Sequence, residues 1–436
     1  MTIFAQARSM AEQTPDRRNR AADFFRAVSI ILVVFGHWFL IAPYVDQGEL
    51  RFAELLGVLP WTHLATWVFQ VMPVFFIVGG FANASSWASA RRDPERRRAW
   101  QAVRLRRLLV PTVPLVALWC IAAAIARFAE VPPELIRDGS RAALIPVWFL
   151  AVYIMVTVVV PVSTEIWRRY GLVSVAALAA AAVCVDLIAF IGGESWLRWA
   201  NYGFIWLAMH QLGYWWHGGG SGRHGPVVLL FIGLVSLALL VGPLGYPLSM
   251  VSVPGAEISN SKPPTVAMLA IGCVQGGLML LVEKPVSRWL RSVRAWFLVI
   301  LVSRMIMTVY LWHITALIAL VGLSLLVGGP GLDAAPGGTT WWLWRPVWIA
   351  ALIAALLPFL LVFGSLEAGS RRAHTRPPGP VRATLGAVMT CAGLTFLALN
   401  GAGADNLLGV NAIPALLALI GVGLSTVGGA ERTKSR

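Results

Sequence analysis

An arginine and a histidine stand inside the first apolar run of the chain, Asp23-Phe24-Phe25-Arg26-Ala27-Val28-Ser29-Ile30-Ile31-Leu32-Val33-Val34-Phe35-Gly36-His37. An α-helix turns about 100° and rises about 1.5 Å per residue, so Arg26 and His37 share one face, roughly 16 Å apart along the axis. With Arg26 at a membrane surface, that spacing predicts His37 near the midplane of a ~30 Å hydrocarbon core. Snorkelling of a long side chain accounts for the arginine. It does not account for the histidine, because an ionisable group at that depth is costly and usually serves a site. A neutral imidazole can take the proton of a hydroxyl as its oxygen attacks a carbonyl. Asp23, three residues before Arg26, is spaced to fix the guanidinium.

Other residues able to do chemistry are scattered through the apolar runs. Arg104-Leu105-Arg106-Arg107 can grip phosphate oxygens in bidentate fashion, although cytoplasmic loops also carry arginine for topology alone. Tyr310-Leu311-Trp312-His313 puts a second imidazole in a span, a rival or partner to His37 as base. Asn201, His210 and Gln211 bond across helices or line an acceptor path. Gln70 opens a span, and Trp148 reads as an interfacial anchor or a substrate contact. Asp186 could orient a histidine as carboxylates do elsewhere. Cys120, Cys184, Cys273 and Cys391 are single and form no zinc pattern, so no metal is expected.

The elements that must position these groups follow from composition. The chain has 436 residues, 58% of them hydrophobic and 13% charged, with mean hydropathy +0.73. That leaves too little polar surface to clothe a soluble domain. The expectation is an all-α polytopic bundle of about twelve spans, near 24–43, 63–86, 108–128, 144–163, 172–192, 197–217, 226–246, 263–283, 296–323, 346–366, 383–400 and 411–428. Residues 1–22 read as a basic tail before a signal anchor. Residues 23–366 form a ten-helix core, 367–382 a linker, 383–428 two additional helices and 429–436 a second tail.

A net charge of +15 would suit a nucleic acid partner, but the basic residues sort by connection instead. Placing the first tail inside puts 27 of the 35 lysines and arginines on that side and 7 on the other, with Arg304 in a span. The stretch Arg91 to Arg107 is the most basic and reads as an inside loop, with later clusters at Arg168, Arg223, Lys284, Arg371 and Arg432. This bias predicts both termini in the cytoplasm and a multi-pass protein of the plasma membrane. Ser252 to Pro264 reads as an outside segment that enters a helix through proline, its backbone donors free.

The Asp-x-x-Arg-x10-His start resembles the integral-membrane acyltransferases of the acyltransferase-3 family. Arg104-Leu105-Arg106-Arg107 is similar to that family's Arg-x-x-Arg before the third helix. Gln70-Val71-Met72-Pro73-Val74-Phe75-Phe76-Ile77-Val78-Gly79-Gly80-Phe81 resembles its Phe-Phe-x-x-Ser-Gly-Phe, with Gly79 where serine is usual. Pro146-Val147-Trp148-Phe149-Leu150 and Tyr310-Leu311-Trp312-His313 resemble two further landmarks, all in the family's order. The resemblance implies an acyl-CoA donor, most often acetyl-CoA, with its phosphates on Arg26, Arg104 and Arg107. It implies His37 as the essential residue and an envelope sugar, polysaccharide or glycolipid as acceptor. Transfer is direct or passes through an acyl intermediate.

Two other classes compete. Twelve spans with both ends inside is a common carrier layout, but the loop after the second span lacks the glycines of such carriers and no half-repeat is evident. A membrane scaffold gives no reason for a midplane histidine.

Overall fold

The computed structural model describes residues 8–9, 11–15, 18–219, 222, 224–369 and 377–428. Arg17, Arg223, Arg371, Arg372, Arg376, Arg432, Lys434 and Arg436 of the basic clusters lie outside the described residues, as do parts of the expected tails and linker. Helix α1 (Arg20–Leu40) opens on Asn19, whose side chain accepts from the Ala22 amide at 3.0 Å. That supplies a partner for one of the N–H groups a helix start leaves over. At Ile41 the chain leaves the helix for an antiparallel hairpin that the sequence reading lacks, β1 (Ile41–Asp46) and β2 (Glu49–Glu54). Gln47 and Gly48 join the strands with φ of 52° and 85°, the two positive angles of a type I′ turn.

Helices then follow in order: α2 (Leu55–Val58), α3 (Thr62–Phe69), α4 (Met72–Ala90), α5 (Pro94–Leu109), α6 (Thr112–Phe128), α7 (Pro133–Ala143), α8 (Ile145–Val158), α9 (Val160–Tyr170) and α10 (Leu172–Gly192). After a short 3-10 turn come α11 (Asn201–His217), α12 (Gly225–Val241), α13 (Val266–Trp289), α14 (Val293–Arg304), α15 (Ile306–Leu326), α16 (Thr339–Gly369), α17 (Pro380–Asn400) and α18 (Ala412–Thr426). The architecture is all-α and polytopic. Among the described residues, eight helices are long and apolar enough to cross a membrane, or nine if the bent pair α7–α8 counts as one span. Helices of 17, 17 and 15 residues, α11, α12 and α18, stand at three of the other expected positions.

Two expectations change. The basic stretch is not a loop: Asp93 accepts from the Glu95 and Arg96 amides at 2.9 and 3.3 Å, Pro94 takes the first helical position, and α5 runs to Leu109. Its buried residues Trp100, Leu105 and Leu109 hold one face inward and leave the arginines on the rest. The expected span 296–323 is also two helices, because α14 ends at Arg304 and α15 begins at Ile306.

The chain clusters into two compact units. The first comprises residues 1–86, 160–303 and 331–343. There α4 and α11 meet backbone to backbone: a Cβ on Gly80 would overlap the His210 carbonyl oxygen, and one on Gly213 that of Ile77. Such contact needs glycine on both helices. A smaller cluster of Ala42, Leu55, Ala334 and Trp341 seats the hairpin, and Val45 N–H donates to the Leu332 carbonyl at 2.6 Å.

The second unit comprises residues 87–159, 304–330 and 344–436. In it α17 packs on α5 and α8, and α18 packs on α5 and α6. Gln101 donates to Thr384 Oγ1 at 2.9 Å, and the Ala402 amide donates to Ser140 Oγ at 2.9 Å.

Candidate active site

In the first unit, α1 brings Asp23 and Arg26 together. Arg26 Nη1 lies 3.5 Å from Asp23 Oδ1, and Arg18 Nε is closer still, 2.7 Å from Oδ2. The carboxylate thus serves two guanidiniums, and the 18–23 pair is one the sequence reading missed. His37 lies in the last turn of α1, not near its middle, and the Ile41 amide donates to its carbonyl. The hairpin ends α1 at Leu40, short of the expected bound at 43. Gly36 packs against Phe69, with 3.4 Å from a Cβ there to the ring. The loop before α13, residues 246–265, belongs to the same unit.

That loop hangs on Asp186. Its Oδ1 accepts from Asn201 Nδ2 at 2.8 Å, and its Oδ2 accepts from the Tyr246 hydroxyl at 3.1 Å and the Val266 amide at 2.9 Å. The carboxylate therefore caps α13, whose own preceding residue Thr265 makes no side-chain cap bond. At the helix start read as offering free donors the Val266 amide is already taken, and Asp186 orients a loop in place of a histidine. Burial and the neighbouring carboxylate push the Tyr246 phenol above its ordinary pKa, which keeps it a donor. Arg198 donates to the carbonyls of Ser259 and Pro263 at 2.9 and 3.4 Å.

The remaining polar residues of this unit hold helices to one another. Asn83 Nδ2 lies 3.1 Å from His210 Nε2, which as the acceptor puts the ring proton on Nδ1. Gln211 accepts from Ser174 Oγ at 2.7 Å and donates to Ser163 Oγ at 3.2 Å. Gln70 donates to the Met250 carbonyl at 3.4 Å, and its own carbonyl accepts from Gln275 at 3.0 Å. Asn83 was legible as a lone amide in an apolar run; Gln275 likewise.

In the second unit, Arg104 is half-buried with its guanidinium 5.7 Å from the Trp100 ring centre, and Arg107 is exposed one helical turn further on. Trp148 is half-buried at the start of α8, edge-on to Phe149 at 6.3 Å. His313 is fully buried in α15, and its Nδ1 lies 2.7 Å from the Tyr310 carbonyl. A carbonyl only accepts, so Nδ1 carries the proton and Nε2 is the basic nitrogen. Tyr310 in turn donates to the Pro146 carbonyl at 2.5 Å. Arg304 and His313, expected in one span, stand on two helices, α14 and α15.

What starts α15 is Glu367, buried near the end of α16. It accepts from the Thr308 amide and hydroxyl, both at 3.0 Å, and from the Met307 amide at 3.4 Å. It was not singled out in the sequence, although it is the one acidic residue of that long apolar helix. Among the described residues no group of three His, Cys, Asp or Glu side chains is placed to hold a metal ion.

No curated protein and no solved structure matches the chain. A profile of the acyltransferase domain family matches residues 19–364, from the cap of α1 into α16, and so includes both histidines and the arginines of α5. That span exceeds half of the 436 residues and, with eight or nine helices fit to cross a bilayer, decides against a carrier or scaffold. The chain belongs to the acyltransferase-3 family: it is a multi-pass membrane O-acyltransferase, moving groups other than aminoacyl groups.

Proposed function

We propose that this enzyme takes an acyl group, in the first instance acetyl, from acyl-CoA at the cytoplasmic face of the plasma membrane. It passes the group to a hydroxyl of an envelope sugar, polysaccharide or glycolipid. The observation that supports this best is the layout of α1. A guanidinium braced by Asp23 stands near its start and an imidazole in its last turn, on one face and roughly 16 Å apart along the axis. The extended pantetheine arm of coenzyme A can span such a separation. Arg26 takes donor phosphate, and the thioester comes to His37.

His37 removes the acceptor's proton as its oxygen attacks the acyl carbon, directly or by way of an acyl-enzyme. Both termini face the cytoplasm in this reading, in keeping with the sorting of lysine and arginine. A second assignment of the base has its own observation. His313 already has its Nδ1–H engaged by a carbonyl, the arrangement that leaves Nε2 basic.

The test is envelope acylation and acyl-CoA affinity for His37→Ala and His313→Ala at matched expression. Loss of a general base costs ~10²–10⁴ in rate, so His37→Ala is expected to lose transfer by that factor while still binding donor. Parental transfer by His37→Ala, with loss in His313→Ala, moves the base to α15.

A further inference from the structure

Three arginines are fixed at the start of α1. Asp23 receives Arg18 Nε at 2.7 Å on one oxygen and Arg26 Nη1 at 3.5 Å on the other, so one carboxylate holds two guanidiniums side by side. Arg20, two residues from Arg18, donates through Nη1 to the Leu290 carbonyl at 2.9 Å. The guanidiniums of Arg18 and Arg20 both stand over the Trp296 ring, 5.6 and 5.3 Å from its centre. That indole is itself held. It is fully buried in a cluster with Ala11 and Leu290, and its Nε1 donates to Thr14 Oγ1 at 2.8 Å. All of these residues belong to the first unit.

These bonds use a small part of what the three forks can give. Among the described residues, Arg18 spends Nε on Asp23, Arg20 spends Nη1 on a carbonyl and Arg26 spends Nη1 on the carboxylate, which leaves further N–H groups on each. Arg18 is exposed, and Arg20 and Arg26 are half-buried, so a solute can reach them. Positive charge is in excess there. Asp23 serves two arginines, and Glu283 accepts from the Asn19 amide at 3.0 Å, whereas the exposed Lys284, Arg288 and Arg291 stand in and just after the last turns of α13, where Arg20 is anchored.

The bias of basic residues toward one membrane face asks for charge, not for direction. Here direction is set as well, by a carboxylate, an indole face and a helix-end carbonyl. Side chains already held in place lose little rotamer freedom when an anion arrives. Planar guanidiniums with paired N–H groups match phosphate oxygens in particular.

We propose that Arg18 and Arg20 join Arg26 in a single clasp for phosphate esters, and that the phosphates it takes are those of the coenzyme A donor. This carries the donor site into the segment before α1, and it rests on the reading of Arg26 given above. The place suits that occupant, since the same helix carries His37 roughly 16 Å further along. A phospholipid headgroup presents the same oxygens, and the test separates the two sources.

The test uses the full chain in nanodiscs of phosphatidylcholine, alone or mixed equally with phosphatidylglycerol, with the envelope fraction as acceptor. It compares kcat/KM for acetyl-coenzyme A with that for acetyl-pantetheine, which keeps the thioester and lacks the phosphates. A residue that only holds the fold changes both donors alike and leaves their ratio where it was. Arg18→Gln and Arg20→Gln are each expected to lower the ratio roughly 10- to 150-fold in phosphatidylcholine alone, as loss of a charge-assisted contact does. A parental ratio in either variant, or an equal loss with the two donors, overturns the proposal. An effect of either substitution seen only where phosphatidylglycerol is present assigns the clasp to lipid headgroups and overturns it as well. Arg26→Gln in the same assay separates the two claims. If it lowers the ratio while Arg18→Gln and Arg20→Gln do not, only the clasp fails; if it leaves the ratio parental, the reading of Arg26 fails and the single clasp with it.

Discussion

Asp186 is the residue whose removal has the most calculable consequence. Its carboxylate takes three donors, and bonds to a charged acceptor contribute about 1.5–3 kcal/mol each against about 0.5–1.5 for neutral ones. Asp186→Asn can keep the Tyr246 and Val266 bonds on its one oxygen. Its new NH₂ can donate to Asn201 if that amide turns over, because Asn201 Oδ1 is buried without a hydrogen-bond partner. The count of bonds survives and the charge does not, so the cost is about 2 kcal/mol. Asp186→Ala instead strands all three donors at about 1–3 kcal/mol each, or roughly 5 kcal/mol together. Hydrogen exchange over residues 246–268 in detergent is the assay. About 1.4 kcal/mol is a factor of ten in an opening equilibrium, so exchange there speeds by ~10³–10⁴ in Asp186→Ala and by ~10–10² in Asp186→Asn. Parental protection of this segment in Asp186→Ala would refute the view that one carboxylate holds the loop.

Two further outcomes follow from the second unit. If Arg104 and Arg107 hold coenzyme A phosphates, Arg→Ala at either weakens acyl-CoA binding by roughly 10- to 150-fold, and Arg→Lys is also impaired because a point charge does not replace a fork; equilibrium binding of acetyl-CoA checks this, and parental affinity in both Ala variants would leave them a topological role. Glu367→Ala takes the acceptor from the first turn of α15 and is expected to cost about 1–2 kcal/mol, as lost caps do, with faster hydrogen exchange at residues 306–310 and a milder effect from Glu367→Gln; unchanged exchange there would mean that the turn is held by packing alone.

Local signals made much of the fold legible. Asn19 before α1, the i, i+3 pairing of Asp23 with Arg26, and the long apolar runs all lie in short windows of sequence. Asp93-Pro94 carries the cap and first-turn signature of a helix just as plainly, yet its arginines drew the reading toward a loop; charge content says where a segment is solvated, not whether it is helical. The hairpin went unread because Pro43 interrupts the strand pattern and Gln47 stands where asparagine is the usual turn residue. No glycine or proline marks the break after Arg304, and what starts α15 there is a carboxylate about sixty residues further along the chain. Asp186 shows the same limit. It was visible as a charge in a span, but its donors at 201, 246 and 266 are a matter of tertiary structure alone.

The polar groups of the spans also constrain where an acceptor can be recognised. A buried polar group in a membrane protein must be satisfied by protein, because lipid offers nothing. Gln70, Asn201, His210 and Gln211 each place at least one polar atom in a bond to another element of the first unit. For any of them to bind a sugar hydroxyl through those same atoms, an interhelical bond of about 1 kcal/mol must first be given up and its partner left buried. If His37 is the base, as proposed, recognition of the acceptor falls to groups other than these atoms, and the hairpin residues 41–54, which continue directly from α1, are the nearest to it along the chain.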